Sequence, residues 1–484
     1  MNQKFYKNLA AIFFLLIVLT TIYTPVVRFP FFSQSYIEVD MHQRPIAPYF
    51  MKGAYLEEVG VYYRPGWRVV DCTLSNLMGG RQIAGAMHLL LLGAHLLCVA
   101  LLYLLVYQRT RGSTAAAFLV ALILSVHPSI SGTVVWVSSD WAMWTSVALL
   151  IILNAYQYVF NSPESRWAPA IACVTPVLLF FMALIAEMGV LCMGIVGLWV
   201  IWEVWRTRSR KMAFQWLVPI APVPVLLMAL RYGALKNFLK GNIYADMALI
   251  ERLGRPRVWM YNFVYDLSVV LNPIHFSFFD VDVNNAYSVA VSALAGFILV
   301  ASVIIAIIKF LPTRDWFLPL VAVIAYALFQ LNAVWLFVKP PISQSGIDRS
   351  YLYYILMIFL LLPVGSAIAR FRETKGETAV WLATILIAAY SFFAIGALRD
   401  GVRAWQAGAE LMNKHRQYFE ASFKDVPENS NIYMTGFPDK YTQPYLPVVF
   451  LYDQSYPSIL KAWTGKSLQV HWQSWHPWPS SLSN

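Results

Sequence analysis

The chain has 484 residues, 59% of them hydrophobic and 13% charged, and its mean hydropathy is +0.57. A soluble domain, with about 25% charged residues, is excluded on that composition. The net charge of +11 does not point to nucleic acid, because Lys and Arg lie between apolar runs and form no stripe on one soluble face; a lipid bilayer with anionic headgroups is the neighbour this pattern fits.

Apolar runs begin near Leu9, Ile83, Ala115, Trp141, Ala168, Gly189, Phe214, Ser288, Trp316, Tyr351 and Ala379. Each approaches the roughly 20 residues that carry a helix across about 30 Å of hydrocarbon. The fold class is therefore an all-α polytopic membrane protein with about eleven transmembrane helices. The first run follows Lys4 and Lys7 as a signal core would. It is longer than such a core, and Arg28-Phe-Pro-Phe-Phe lacks a small-residue cleavage site, so a retained span is expected. His127-Pro128 interrupts the third run, and Ser138-Ser139-Asp140 separates it from the fourth. Pro219, Pro222 and Pro224 predict a kink in the span that begins near Phe214.

Short basic loops set the orientation. With the N-terminus cytoplasmic, the inner loops carry Arg109 and Arg111; Arg166; Arg206, Arg208, Arg210 and Lys211; Lys309 and Arg314; and Arg370, Arg372 and Lys375. The expected location is a bacterial inner or plasma membrane. Residues 1–397 form the transmembrane domain, with long external (periplasmic) loops over 28–82 and 232–287, and 398–484 form an external cap. The second loop contains a stretch from Arg255 to Leu271 with a basic start and mixed aromatic face, suited to a helix lying in the interface. The tail is helical to about Phe423 and then rich in turn residues, which predicts a small α/β cap.

The first external loop places Glu38 and Asp40 soon after the first span and Tyr63-Arg64-Pro65 before the second. A carboxylate at the membrane surface can act as a general base toward an acceptor hydroxyl. An arginine can hold a lipid-linked phosphate through paired, charge-assisted hydrogen bonds. The alternative is that both acids are solvated loop carboxylates. His88 and His95 are seven residues apart, so they share a helix face about 10 Å apart along the axis, too far for one metal ion. A hydrogen bond to a neighbouring helix is the simpler role for each, as helix ending is for His127 before Pro128. Glu187 lies at a hairpin turn, either beside a donor phosphate through a shared arginine or as a helix cap. Cys72, Cys98, Cys173 and Cys192 lack metal-ligand spacing. No metal or other cofactor is expected. The aromatic tail, Trp463 included, is read mainly as packing and interfacial anchoring.

The order of these landmarks resembles the GT-C superfamily of membrane glycosyltransferases, in particular the transmembrane-and-tetratricopeptide O-mannosyltransferases and their bacterial relatives. The matching pieces are Asp40; Tyr63-Arg64-Pro65; His88 and His95; His127-Pro128 with Val135-Trp136-Val137-Ser138; Glu187; and Asp348-Arg349-Ser350-Tyr351-Leu352-Tyr353. The chain departs from the family where Gly132 replaces a glutamate, where Ser139-Asp140 stands for a basic-acidic group, and where Ala186 replaces a lysine and Leu91 an asparagine. It also has no tetratricopeptide tail.

The resemblance implies transfer of a sugar from a polyprenyl-phosphate donor to a glycan, lipid or protein acceptor on the non-cytoplasmic face. The implied inverting reaction uses Asp40 as base, with Glu38 in reserve. Arg64, Arg349, Tyr351 and His88 would bind the donor phosphate, and Glu187, His127 and His95 would line the site. Two alternatives stay open: a catalytically silent assembly factor of an envelope polysaccharide, and a transporter or flippase of lipid-linked sugar. The latter would be expected to show repeated halves, which this sequence lacks.

Overall fold

A computed structural model of the chain describes residues 3–32, 35–36, 47, 50, 63–77, 84–208, 210–235, 313–333, 350–434, 440–441, 449–450 and 456–472. Among them, 8 helices are long and apolar enough to cross a membrane: Tyr6–Arg28, Ala84–Arg109, Asp140–Asn161, Ala168–Ile185, Glu187–Thr207, Phe214–Ala234, Tyr354–Thr374 and Val380–Ser422. A bent pair, Thr114–Val126 with Pro128–Val135, makes a ninth candidate. Each falls on an apolar run read from the sequence. The run near Trp316 is the helix Thr313–Ala333, with a shorter apolar core at Asp315–Ala327. The run near Ser288 and the interfacial stretch from Arg255 lie outside the described residues.

In chain order the helices are α1 (Gln3–Tyr23), α2 (Pro65–Leu77), α3 (Ala84–Arg109), α4 (Thr114–Val126), α5 (Ser131–Val135), α6 (Asp140–Asn161), α7 (Ala168–Ile185) and α8 (Glu187–Thr207). They continue as α9 (Arg210–Ile220), α10 (Pro222–Leu235), α11 (Thr313–Ala333), α12 (Ser350–Lys375), α13 (Glu377–Ser422) and α14 (Tyr456–Thr464). The core is a bundle in which α3 packs on α4 and α6, α7 on α6 and α8, and α12 on α4, α11 and α13. At the end carrying the basic loops, Asn8 accepts from the hydroxyls of Tyr103 at 2.7 Å and Thr114 at 2.8 Å, tying α1 to α3 and α4.

The breaks have local causes. Proline cannot donate an amide, and it disfavours helical backbone in the residue before it. At His127-Pro128 the chain leaves α4 and turns by 56° into a 3-10 turn, Pro128–Ile130, and then α5. The kink expected from Pro219, Pro222 and Pro224 is an interruption at Ala221 between α9 and α10. Ala186, extended at φ −159° and ψ 164°, ends α7 and starts α8.

The expected boundary at 397/398 falls inside α13, which runs unbroken for 46 residues, about 69 Å at 1.5 Å per residue. The helical stretch expected in the tail to about Phe423 is the second half of this helix. Leu398, Val402, Trp405, Ala409, Met412 and Phe419 are buried, and their spacing carries one apolar face past the charges at Arg399, Asp400 and Arg403. Arg403 and Asp400 pair with each other on the exposed side. Beyond α13, β1 (Asn431–Met434) pairs in parallel with β4 (Gln469–Trp472), with α14 in the intervening chain, and β2 (Lys440–Tyr441) pairs antiparallel with β3 (Val449–Phe450). α14 packs on α13. Trp463 stacks on Phe419 at 5.8 Å and donates from Nε1 to the Tyr36 hydroxyl at 3.1 Å. The cap is thereby joined to the start of the first long loop.

Candidate active site

Arg64, Asp140 and Glu187 come together where the start of α2 meets the first turns of α6 and α8. Pro65 opens α2, a position where its missing amide costs nothing. Gly66 lets α2 approach the end of α7: a Cβ there would lie 2.9 Å from the Leu184 carbonyl carbon. This approach brings Arg64 to Glu187, the first residue of α8. Arg64 donates from Nε to Glu187 Oε2 at 2.8 Å, and its Nη2 lies 2.7 Å from the same oxygen. A carboxylate at a helix N-terminus is also favoured by the helix dipole. On another side the Arg64 guanidinium carbon lies 4.7 Å from the centre of the Trp141 ring, a cation–π contact.

One turn along α2, Trp67 donates from Nε1 to Asp140 Oδ1 at 2.5 Å. Asp140 is the first residue of α6 and, like Trp67 and Arg68, is buried. Two carboxylates at two helix starts are therefore gripped by residues just before and within the first turn of one short helix. The Arg64 and Glu187 side chains keep 16% and 26% exposure, so solvent screening holds the stabilisation from this pair to about 1 kcal/mol or less; its main effect is to fix the direction of the guanidinium. Glu187 Oε1 is buried and accepts no hydrogen bond from the described residues. Beside the cluster, burial raises the Tyr63 phenol above its ordinary pKa, and the nearby charge of Arg231 on α10 opposes the rise.

The other expected site residues separate into two groups. Asp40, Glu38 and Arg349 lie outside the described residues, and Tyr351 is in the first turn of α12. His88, His95 and His127 are buried and tied into the bundle. His88 Nε2 donates to the Pro30 carbonyl at 3.3 Å. His95 Nδ1 lies 2.6 Å from the Tyr354 hydroxyl, linking α3 to α12. His127 Nδ1 accepts from the Ser129 hydroxyl at 2.6 Å and the Ser129 amide at 3.3 Å, capping the 3-10 turn. His95 thus bonds a neighbouring helix and His127 the turn that follows it, while the carbonyl that His88 meets lies outside any helix. Among the described residues no three His, Cys, Asp or Glu side chains gather where they could hold a metal ion.

Trp67, Arg68 and Arg231 were not singled out in the sequence, and Asp140 was noticed only as part of the separator between two spans and as a departure from a motif. An acid at the first position of a span needs a buried partner, and that requirement was the signal available for Asp140. Nothing in the spacing named Trp67 as that partner.

No protein-family model matches the chain, and no curated protein matches it. Among solved structures it is similar to the archaeal oligosaccharyltransferase AglB from Archaeoglobus fulgidus, in complex with an inhibitory peptide and a dolichol-phosphate. The TM-score is 0.51 at 11% identity, over 97% of this chain and 65% of that one. A second structure of the Archaeoglobus fulgidus oligosaccharyltransferase, in complex with Zn and sulfate, gives 0.46 at 10% identity over 95% and 62%. The chain thus spans about two thirds of the length of its first structural neighbour. The first likeness shows the fold alone, one shared with that archaeal membrane oligosaccharyltransferase, as the order of motifs led one to expect.

Proposed function

We propose that the chain is an integral membrane glycosyltransferase that takes a sugar from a polyprenyl-phosphate donor on the non-cytoplasmic face. The observation that supports this most is a guanidinium, Arg64, held by Glu187 and Trp141 on a bundle with the GT-C fold. An arginine presents five donors in a planar fork, and one whose direction a carboxylate fixes is suited to pairing with phosphate oxygens. The dolichol-phosphate bound to the AglB structure supports a phosphate on a long isoprenoid as the leaving group. The peptide in that complex leaves the acceptor here open among protein, glycan and lipid.

In this reading Asp40 takes the proton from an acceptor hydroxyl, whose oxygen attacks the anomeric carbon from the face opposite the phosphate. The carbon–oxygen bond to the carrier breaks, polyprenyl phosphate leaves with the electron pair, and the configuration inverts. Arg64 and Arg349 neutralise the charge growing on the phosphate, a form of stabilisation that is often the largest single contribution in such reactions. Glu38 stands in reserve for Asp40, and Tyr351 borders the phosphate. Glu187 is a positioning residue that acts through Arg64, while His88, His95 and His127 maintain the walls. No metal ion is required.

A silent assembly factor is the second reading, favoured by Gly132 and Leu91 at positions where the resembled family carries polar groups. Mass analysis of surface glycans and carrier lipids, with and without the gene, tests the proposal. Loss of one sugar together with accumulation of its polyprenyl-linked donor supports a transferase. Unchanged donor with disordered polymer length supports the assembly factor.

A further inference from the structure

A cavity of about 660 Å³ opens at the basic-loop end of the bundle, far along the helices from Arg64. Its size is that of small-molecule sites, which run to about 300–1,000 Å³. Lys7, Ala11 and Phe14 line it from α1, and their spacing of four and three residues puts them on one helix face. Phe118 of α4 faces them, with its ring centre 6.0 Å from that of Phe14. Arg372 near the end of α12 and Glu377 at the start of α13 complete the rim.

Polarity divides the cavity along its length. The charged groups are at one end, and the phenylalanine pair is about 10 Å further along the bundle, the distance from Lys7 to Phe14 along a helix. Arg372 engages Glu377 Oε1 from Nε at 2.9 Å and from Nη2 at 2.7 Å. This pairing offsets the only carboxylate among the lining residues and leaves the Lys7 charge in excess. Phe14 is 52% exposed, so the apolar part opens sideways, where hydrocarbon chains lie if the bundle crosses a bilayer.

We propose that this cavity binds an anionic phospholipid of the cytoplasmic leaflet, with its phosphate at Lys7 and Arg372 and one acyl chain against Phe14 and Phe118. A free anion would use the rim and leave the apolar part wet. A zwitterionic lipid would fill the apolar part without matching the excess positive charge. Basic pockets between helices on this side of a membrane are suited to acidic headgroups. The site is separate from the transfer chemistry and holds whether or not the chain is a transferase.

The test uses full-length protein, delipidated in detergent and titrated with phosphatidylglycerol, phosphatidylcholine of matched chains, or inorganic phosphate. Adduct retention in native mass spectrometry and melting temperature are the readouts. The expected result is retention of phosphatidylglycerol at least tenfold above phosphatidylcholine, with a raised melting temperature and no effect of phosphate alone. Lys7→Gln with Arg372→Gln should remove the preference for the acidic headgroup. Ala115→Trp, placed in the cavity wall, should reduce retention of both lipids. Lys7 and Arg372 are exposed, so the paired variant is expected to fold. Equal retention of the two lipids, an unchanged preference in the paired variant, or reproduction of the shift by phosphate alone would each overturn the proposal.

Discussion

Arg64 turns both Nε and Nη2 toward one oxygen of Glu187, Oε2, at 2.8 and 2.7 Å, across 123 residues of sequence. The pair fixes the start of α2, which the arginine immediately precedes, against the junction between α7 and α8. If it also aims Arg64 at a phosphate, the two effects separate on substitution. Glu187→Gln keeps the shape and one acceptor oxygen but removes the charge. Because the pair is partly exposed, folded yield and melting temperature should fall by no more than the equivalent of about 1 kcal/mol. Transfer at saturating donor should fall at least about tenfold, or about 1.4 kcal/mol of transition-state stabilisation. A rate equal to wild type would reduce the pair to packing.

Gly189 supplies a structural control. A Cβ at this position would run into the Met182 carbonyl of α7. Alanine is the better helix former, so propensity alone would favour Gly189→Ala. Overpacking against backbone costs about 1–3 kcal/mol, and the variant should melt several degrees below wild type in a thermal unfolding assay in detergent. A melting temperature at or above wild type would mean that α7 and α8 separate more easily at this junction than the structure indicates.

The helices were legible in the sequence because bilayer thickness imposes a length and a composition on each run. The site was legible only in part. Arg64 and Glu187 could be named from their positions beside spans, and a shared arginine was one role foreseen for Glu187. Trp67 and Asp140 escaped because their pairing depends on how α2 lies across the bundle, and Gly66 sets that through a backbone contact no periodicity encodes. The histidines drew notice as ionisable side chains in spans, but their partners were not legible: His95 meets Tyr354 on a helix distant in sequence, and His127 meets Ser129 two residues away. The helical start of the tail was legible to about Phe423, and α13 ends at Ser422; that it continues the last span without a break, on one buried face from Leu398 to Phe419, was not legible because charges at Arg399 and Asp400 interrupt the apolar run.

That continuous face makes the cap a stiff extension of α13, with Trp463 as its rivet against Phe419 and Tyr36. Trp463→Ala removes a large buried ring, for which losses of about 3–5 kcal/mol are typical. The loss should be local. Limited proteolysis is expected to cut the tail after Ser422 much faster than in wild type, while the membrane-embedded part stays intact. Equal cleavage rates would show that the cap does not depend on this contact.

The orientation rests on the basic loops and has its own test. A reporter fused after Arg208, in the turn that ends α8, should read cytoplasmic, and one fused after Asn429, before β1, should read external. A cytoplasmic signal from the second fusion would put the cap and the first long loop in different compartments from those the proposed reaction needs.

The most direct test of the transfer reaction is single-turnover conversion of a labelled polyprenyl-phosphate sugar by purified protein, comparing wild type with Asp40→Asn and normalising to folded material. The substitution keeps size and most hydrogen bonding while removing the base, and general-base contributions run to about 10²–10⁴ in rate. The account predicts label moved to acceptor by the wild type, with polyprenyl phosphate released, and a loss of about 10² or more in the folded variant. No transfer by the wild type from any such donor, or equal rates for the two proteins, would contradict it.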